Sequence, residues 1–183
     1  MTVITVADAV ETKKAVFAIA EHQGPVYLRL SRAAAPVFYP EDMKFEIGRG
    51  ITVREGGDVT IITTGTVLHK ALAAAELLEA KGIRARVVDM HTIKPIDEEL
   101  IIECARETGA IVTVEEHSVC GGLGSAVAEV LAEHMPVPMT RIGATDFAES
   151  GDYEQLLVNT AMARNPSQKK CEKVMKRKQV QKK

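Results

Sequence analysis

The sequence predicts an α/β protein, three layers of helix, sheet and helix built on a mostly parallel sheet of about five strands, with a partial βαβ unit ahead of it. Three observations lead there. Short β-rich runs alternate with stretches of helical apolar period along most of the chain. The run AIVTVEE, from Ala110 to Glu116, is nearly continuous in its apolar residues, as a parallel strand covered on both faces requires. At 183 residues and 46% hydrophobic content, the chain also carries enough apolar surface for a substantial core.

The first β-rich run is Val3 to Ala7. Asp8, with Glu11 three positions later, reads as the cap of a helix that turns Val16, Phe17, Ile19 and Ala20 inward, and Gly24-Pro25 ends it. From Val26 to Ser31, Val26, Leu28 and Leu30 alternate with Tyr27, Arg29 and Ser31, which is the period of a strand with two unlike faces. Residues 1–31 thus make one βαβ unit. The proline- and glycine-bearing stretch after it reads as a connection, with a domain boundary at residues 33–45.

Beyond the boundary, Ile51 to Gly65 reads as two strands around Glu55-Gly56-Gly57-Asp58, because glycine supplies the positive φ that tight hairpins need. Thr66 reads as the cap of the next helix, which carries Leu68, Leu72, Ala75 and Leu78 on one stripe and stops at Lys81-Gly82. Arg84 to Met90 is a strand. Asp97 opens a helix with Glu98 and Glu99 in its first turn, where the helix dipole favours them. Its buried side holds Leu100, Ile101, Cys104 and Ala105, and Gly109 closes it. A helix from about Leu123 to His134 buries Leu123, Val127, Val130 and Leu131, and PVPMTRIG supplies the last strand. In a doubly wound sheet of this kind, ligands meet the carboxyl ends of the strands.

Charge and cysteine content bound the function. The net charge of -2 conceals an asymmetry: residues 164–183 hold nine Lys/Arg against one acid, and residues 1–163 hold fourteen against twenty-four. An acidic body disfavours nucleic acid as a partner, and the basic tail, with no aromatic residue, reads as a solvated and partly disordered extension, with a meagre apolar stripe at Cys171, Val174 and Met175 as the alternative that would let a last helix pack. Cys104, Cys120 and Cys171 are widely spaced, which suggests neither disulfides nor a thiolate metal site and fits a reducing, cytoplasmic compartment. No stretch has the pattern of an export leader or the length of a membrane span, so a soluble protein is expected.

Three places could carry chemistry. Gly121-Gly122-Leu123-Gly124 lies between a strand and a helix start, where phosphates often bind. Val127 stands where a dinucleotide fingerprint has Gly or Ala, and Glu115 and Glu116 would repel a pyrophosphate, so glycines that permit tight helix-strand packing are the plainer reading. His117 near Cys120 suggests a base and a nucleophile, with no third group identifiable and a packed histidine as the alternative. His91 and Lys94 leave a strand end in HTIKPID, which reads either as a catalytic position or as a rigid turn held by Pro95 and capped by Asp97.

Taken in order, LRLSR, EGGDVTIITTG, VVDMHTIKPID and EEHSVCGGLGSAVAE resemble the C-terminal region of transketolase over about residues 1–150. Related thiamine-diphosphate enzymes, 1-deoxyxylulose-5-phosphate synthase and the β subunits of 2-oxo acid dehydrogenases, share the KPID-like and glycine-rich segments. The LSR strand end favours transketolase.

The resemblance implies that residues 1–32 correspond to the last βαβ of a pyrimidine-binding domain, 33–45 to a linker, 46–150 to the C-terminal domain and 151–183 to a basic extension. It implies thiamine diphosphate and Mg²⁺ in a complete enzyme, bound by regions with no counterpart here, and neither on this chain alone. The implied reaction passes a two-carbon ketol unit between sugar phosphates. The implied partners are an N-terminal transketolase portion or subunit and further copies of the chain. A piece of one of the related enzymes, or a non-catalytic ligand-binding or assembly domain, are the alternatives. One residue carries a site expectation: Arg32, at the carboxyl end of a strand, is either a solvated arginine or, by its match to the family's LSR motif, a contact for the substrate's terminal phosphate.

Overall fold

A computed structural model of the chain describes residues 1–147, 149–159, 162 and 164–181. It opens with β1 (Thr2–Thr5), α1 (Ala9–Glu21) and β2 (Val26–Arg29), with β1 and β2 parallel, so the βαβ unit is present. Asp8 caps α1 by accepting the Glu11 amide at 2.8 Å. The buried side of α1 differs from expectation. Val10, Glu11 and Ala15 face inward and Ile19 is half-buried, whereas Ala20 is exposed and Val16 and Phe17 stand 50% and 66% exposed. Glu11 and Ala15, four apart, share the stripe that docks, and the next two residues rotate about 100° each away from it.

After an irregular stretch come β3 (Ile51–Arg54), β4 (Val59–Thr64), a 3₁₀ turn at Gly65–Val67, α2 (Leu68–Glu79), β5 (Ala85–Asp89) and β6 (Thr92–Lys94). Next are α3 (Glu98–Thr108), β7 (Ile111–Ser118), α4 (Leu123–His134), β8 (Met139–Ala144), α5 (Tyr153–Asn159) and α6 (Arg164–Gln181). Five strands form one sheet in the order β3-β5-β4-β7-β8, parallel except for β3 at the edge. Alternate residues feed two cores. Ile61, Val87, Val112 and Ile142 belong to the core that includes residues of α2 and α6; Ile62, Val88 and Ile111 belong to the one that includes residues of α3 and α4. This is the three-layer α/β arrangement the sequence predicts.

The hairpin is corrected. β3 and β4 do not pair, because β5 lies between them. Neither Gly56 nor Gly57 has a positive φ. Gly56 instead crosses the start of β5 so closely that a Cβ there would sit 2.3 Å from the Ala85 carbonyl carbon, and Asp58 accepts the Arg84 amide at 2.7 Å. Thr66 is not a helix cap either: α2 is entered through the 3₁₀ turn, with Gly65 at φ +73°, and the Thr66 hydroxyl turns to Glu116. The stripe of α2 is as expected, with Leu68, Ala75 and Leu78 buried and Leu72 half-buried. Asp97 caps α3 through the Leu100 amide, and Gly109 closes it at φ 60°.

The HTIKPID segment holds a strand that the sequence does not announce. β6 pairs antiparallel with β1, giving a second sheet of order β2-β1-β6 that ties the N-terminal unit to the rest.

The basic tail is also corrected. Residues 164–181 form α6, with Cys171 and Val174 fully buried and Met175 packed beside them. Composition misleads here because most of the charges occupy the outer face, while a narrow stripe three residues apart is enough to dock the helix. Pro166 lies in the first turn, where its missing N–H has no intrahelical partner to lose. Lys178 reaches the carbonyls of Thr108 at 2.6 Å and Asp58 at 3.2 Å, so one of the tail's cations completes the C-terminal end of α3. Lys182 and Lys183, part of the same expectation, lie outside the described residues. Among the described residues no helix is long and apolar enough to cross a membrane.

Candidate functional site

Chain order turns at β4. α2 leads to β5 on one side, and α3 leads back across to β7 on the other, so the carboxyl ends of β4 and β7 flank a switch-point crevice. The N-terminal unit sits over this crevice. A Cβ at Gly65 would lie 2.8 Å from Thr5 Cγ2, and the Thr64 hydroxyl donates to the Thr5 carbonyl at 3.3 Å. From β2, the Arg29 guanidinium donates to the Glu116 carbonyl. The Glu116 carboxylate accepts from the hydroxyls of Thr66 at 3.0 Å and Tyr153 at 3.2 Å. Beside this network lies a cavity of about 150 Å³ whose lining includes Tyr27, Arg29, Thr64, Glu115 and His117.

The glycine-rich loop is filled from within. Glu115, 1% exposed, accepts the amides of Leu123 at 2.7 Å and Gly124 at 2.8 Å, which supplies an anion to the N-terminus of α4 from the chain itself. Burial raises the Glu115 pKa, and these two amide bonds pull against that rise. A Cβ at Gly122 would fall 2.0 Å from Glu115 Oε2, so the glycine serves close packing. The thiamine diphosphate implied by the resemblance therefore does not fit at this helix start. Among the described residues no group of three or more His, Cys, Asp and Glu is arranged to hold a metal.

The other sequence candidates stand apart. His117 is exposed with Nδ1 3.1 Å from the Ser118 carbonyl oxygen, and the exposed Cys120 sends its amide to Ser118 Oγ at 3.1 Å. No hydrogen bond joins His117 to Cys120, so they form no base-nucleophile pair. His91 is fully buried, stacked on Phe45 with ring centroids 4.2 Å apart, and its Nδ1 lies 2.9 Å from Thr92 Oγ1. Lys94 is exposed at the rim of an open cleft of about 670 Å³.

Arg32 lies in the loop after β2, a strand that ends at Arg29 rather than Ser31. The Ser31 hydroxyl accepts the Ala33 amide at 3.2 Å and shapes that loop, while the Arg32 side chain is exposed and bonds to no described residue. Arg29 escaped the sequence reading because strand alternation marks only which face a residue takes. Its partner is a carbonyl eighty-seven positions away, which no local pattern encodes.

The sequence profile of the transketolase C-terminal domain matches residues 48–164, more than half of the chain. The chain belongs to the transketolase C-terminal domain family. A 6-deoxy-6-sulfo-D-fructose transketolase subunit from Clostridium sp. (strain MSTE9) is 48% identical over 156 residues, 84% of this chain and 48% of that protein. The transketolase of Rattus norvegicus is 41% identical over 159 residues, 85% of this chain and 26% of that protein. A solved structure described as a split gene transketolase, inactive beta4 tetramer, superposes with a TM-score of 0.94 at 48% identity, covering 96% of this chain and 58% of that one. The chain thus spans about half, or less, of the transketolases it matches.

Proposed function

We propose that the chain acts as the C-terminal part or subunit of a thiamine-diphosphate-dependent transketolase, passing a two-carbon ketol unit between sugar phosphates only when joined to a complementary N-terminal portion. Thiamine diphosphate and Mg²⁺ bind in that other portion. This chain supplies scaffold and subunit contacts, and Arg32 supplies one contact to a substrate phosphate. The observation that carries the reading is the 48% identity and 0.94 TM-score to a split-gene transketolase. The occupation of the glycine-rich helix start by Glu115 supports placing the diphosphate elsewhere. The test is reconstitution. Mixing the chain with a complementary N-terminal subunit should produce cofactor-dependent ketol transfer, and calorimetry on the pure chain should give no saturable heat with thiamine diphosphate and Mg²⁺. Micromolar cofactor binding, or ketol transfer by the pure chain, would remove the reading.

A further inference from the structure

Two carboxyl groups meet where the N-terminal unit rests on the five-stranded sheet, and no cation accompanies them among the described residues. Glu11, on the docked side of α1, and Asp89, the last residue of β5, are both 0% exposed. Glu11 Oε2 accepts the Ala7 amide at 2.6 Å, and Asp89 Oδ2 accepts the Tyr39 hydroxyl at 2.8 Å. The remaining oxygens, Glu11 Oε1 and Asp89 Oδ1, meet no N–H or O–H donor from any other described residue. Both orphaned oxygens are buried at this junction and each carboxyl bears on the other, so a single proton held between them would satisfy both, and only a protonated carboxyl can donate to its neighbour.

The groups facing the pair are few. Asp8, ahead of α1, adds negative charge while its own oxygens accept the amides of Glu11, Phe38 and Tyr39. Tyr39, in the connection, contributes a phenol that burial and the neighbouring carboxyls hold well above its usual range, so it remains a donor. No cation figures among the main influences on either carboxyl. Two adjacent charges in such a place would lose their hydration and repel each other, whereas one shared proton relieves both costs.

We propose that Glu11 and Asp89 form a proton-held joint: while they share a proton they fasten α1 and the Tyr39 connection to β5, and losing that proton loosens α1 and that connection while the β1–β6 pairing still holds β1. The direction follows from burial. Desolvation is the largest influence on both groups and raises both, and the charge of Asp89 raises Glu11 further. The folded chain therefore keeps a proton at pH values where the unfolded chain has released it. The joint's contribution is complete below the ordinary carboxylate range, about pH 4, and is lost as pH rises through the raised values of the pair. Because the connection that carries Tyr39 begins at the Arg32 loop, loosening it would also move the proposed phosphate contact. That consequence alone rests on the function proposed above.

Hydrogen exchange on the full chain tests the joint without a partner or an assay. After correction for intrinsic exchange, protection of the α1 amides relative to those of β4 and β7 should fall about tenfold per pH unit over the range in which opening releases one proton. Glu11→Gln, whose amide can donate to Asp89 without titrating, should abolish most of that dependence. A pH-independent ratio in the wild type, or the same dependence in Glu11→Gln, would overturn the proposal. Should the variant fail to fold, infrared titration of the wild type decides. A protonated carboxyl band that persists at neutral pH, across the span in which α1 protection falls, supports the joint, and its absence at neutral pH rejects it.

Discussion

Arg29 and Arg32 leave the same strand in opposite circumstances. Arg29 is spent on the Glu116 carbonyl, which fixes the end of β2 over the switch point, whereas Arg32 is exposed and bonds to no described residue. A free guanidinium at a strand end can hold a phosphate through two parallel charge-assisted hydrogen bonds. In an enzyme reconstituted with its complementary portion, Arg32→Ala should raise the KM for sugar phosphates roughly ten- to a hundredfold and leave unphosphorylated acceptors nearly unchanged. Equal losses for both would assign Arg32 to the fold or the interface. His91 makes a different prediction. Burial pushes its pKa down from 6.5 to about 4, so the unfolded chain binds the proton more readily than the folded one. Its contribution to stability is present above the unfolded value and lost as pH falls toward 4, a loss of up to about 3 kcal/mol. Glu11 and Asp89 act with the opposite sign, so denaturant titrations of wild type and His91→Gln should be compared across this span. An unchanged acid limb in the variant would show that the imidazole is not its source.

At the scale of the element, α6 is where average composition and local spacing disagree most. Its charges suit water, yet Cys171 and Val174 reach the core and Lys178 reaches two carbonyls, so the helix is part of the packed domain. Val174→Ala should lower unfolding free energy by about 2 kcal/mol, and Lys176→Ala, on the exposed face, by no more than about 0.5 kcal/mol. Ending the chain before residue 164 should destabilise the five-stranded sheet. Urea denaturation unchanged by that truncation would show that α6 is dispensable to the core. The Glu55-Gly56-Gly57-Asp58 turn gives the complementary lesson. Its glycines were legible as special, but what they permit is contact with β5, a strand that begins about thirty residues later.

For the molecule as a whole, apolar surface remains uncovered on the N-terminal unit. Phe17 on α1, Tyr27 on β2, and Leu30 and Val37 beyond it are exposed, and the outer edge of β2 has no strand partner among the described residues. Self-association of the isolated chain is the expected outcome, measured by sedimentation over a concentration series. A compact monomer at high concentration, with residues 1–32 resistant to proteolysis, would contradict it. The same unit lies over the switch point, so the crevice where open α/β sheets usually present ligands is partly closed by the chain's own Thr5 and Arg29.

By itself the sequence determined the alternation of strand and helix, the continuous apolar run of β7, the caps at Asp8 and Asp97 and the stop at Gly109. Each of these is encoded within a few neighbouring residues, by side-chain period, by a short polar group or by a glycine. Its ordered motifs also pointed to the family. Tertiary structure alone decided that β3 pairs with β5, that β6 joins β1, that Glu115 fills the glycine-rich loop and that Glu11 meets Asp89. These pairings join residues as distant in the chain as Val3 and Lys94, and they are selected by which surfaces can be buried together and which polar groups must find partners once water is gone.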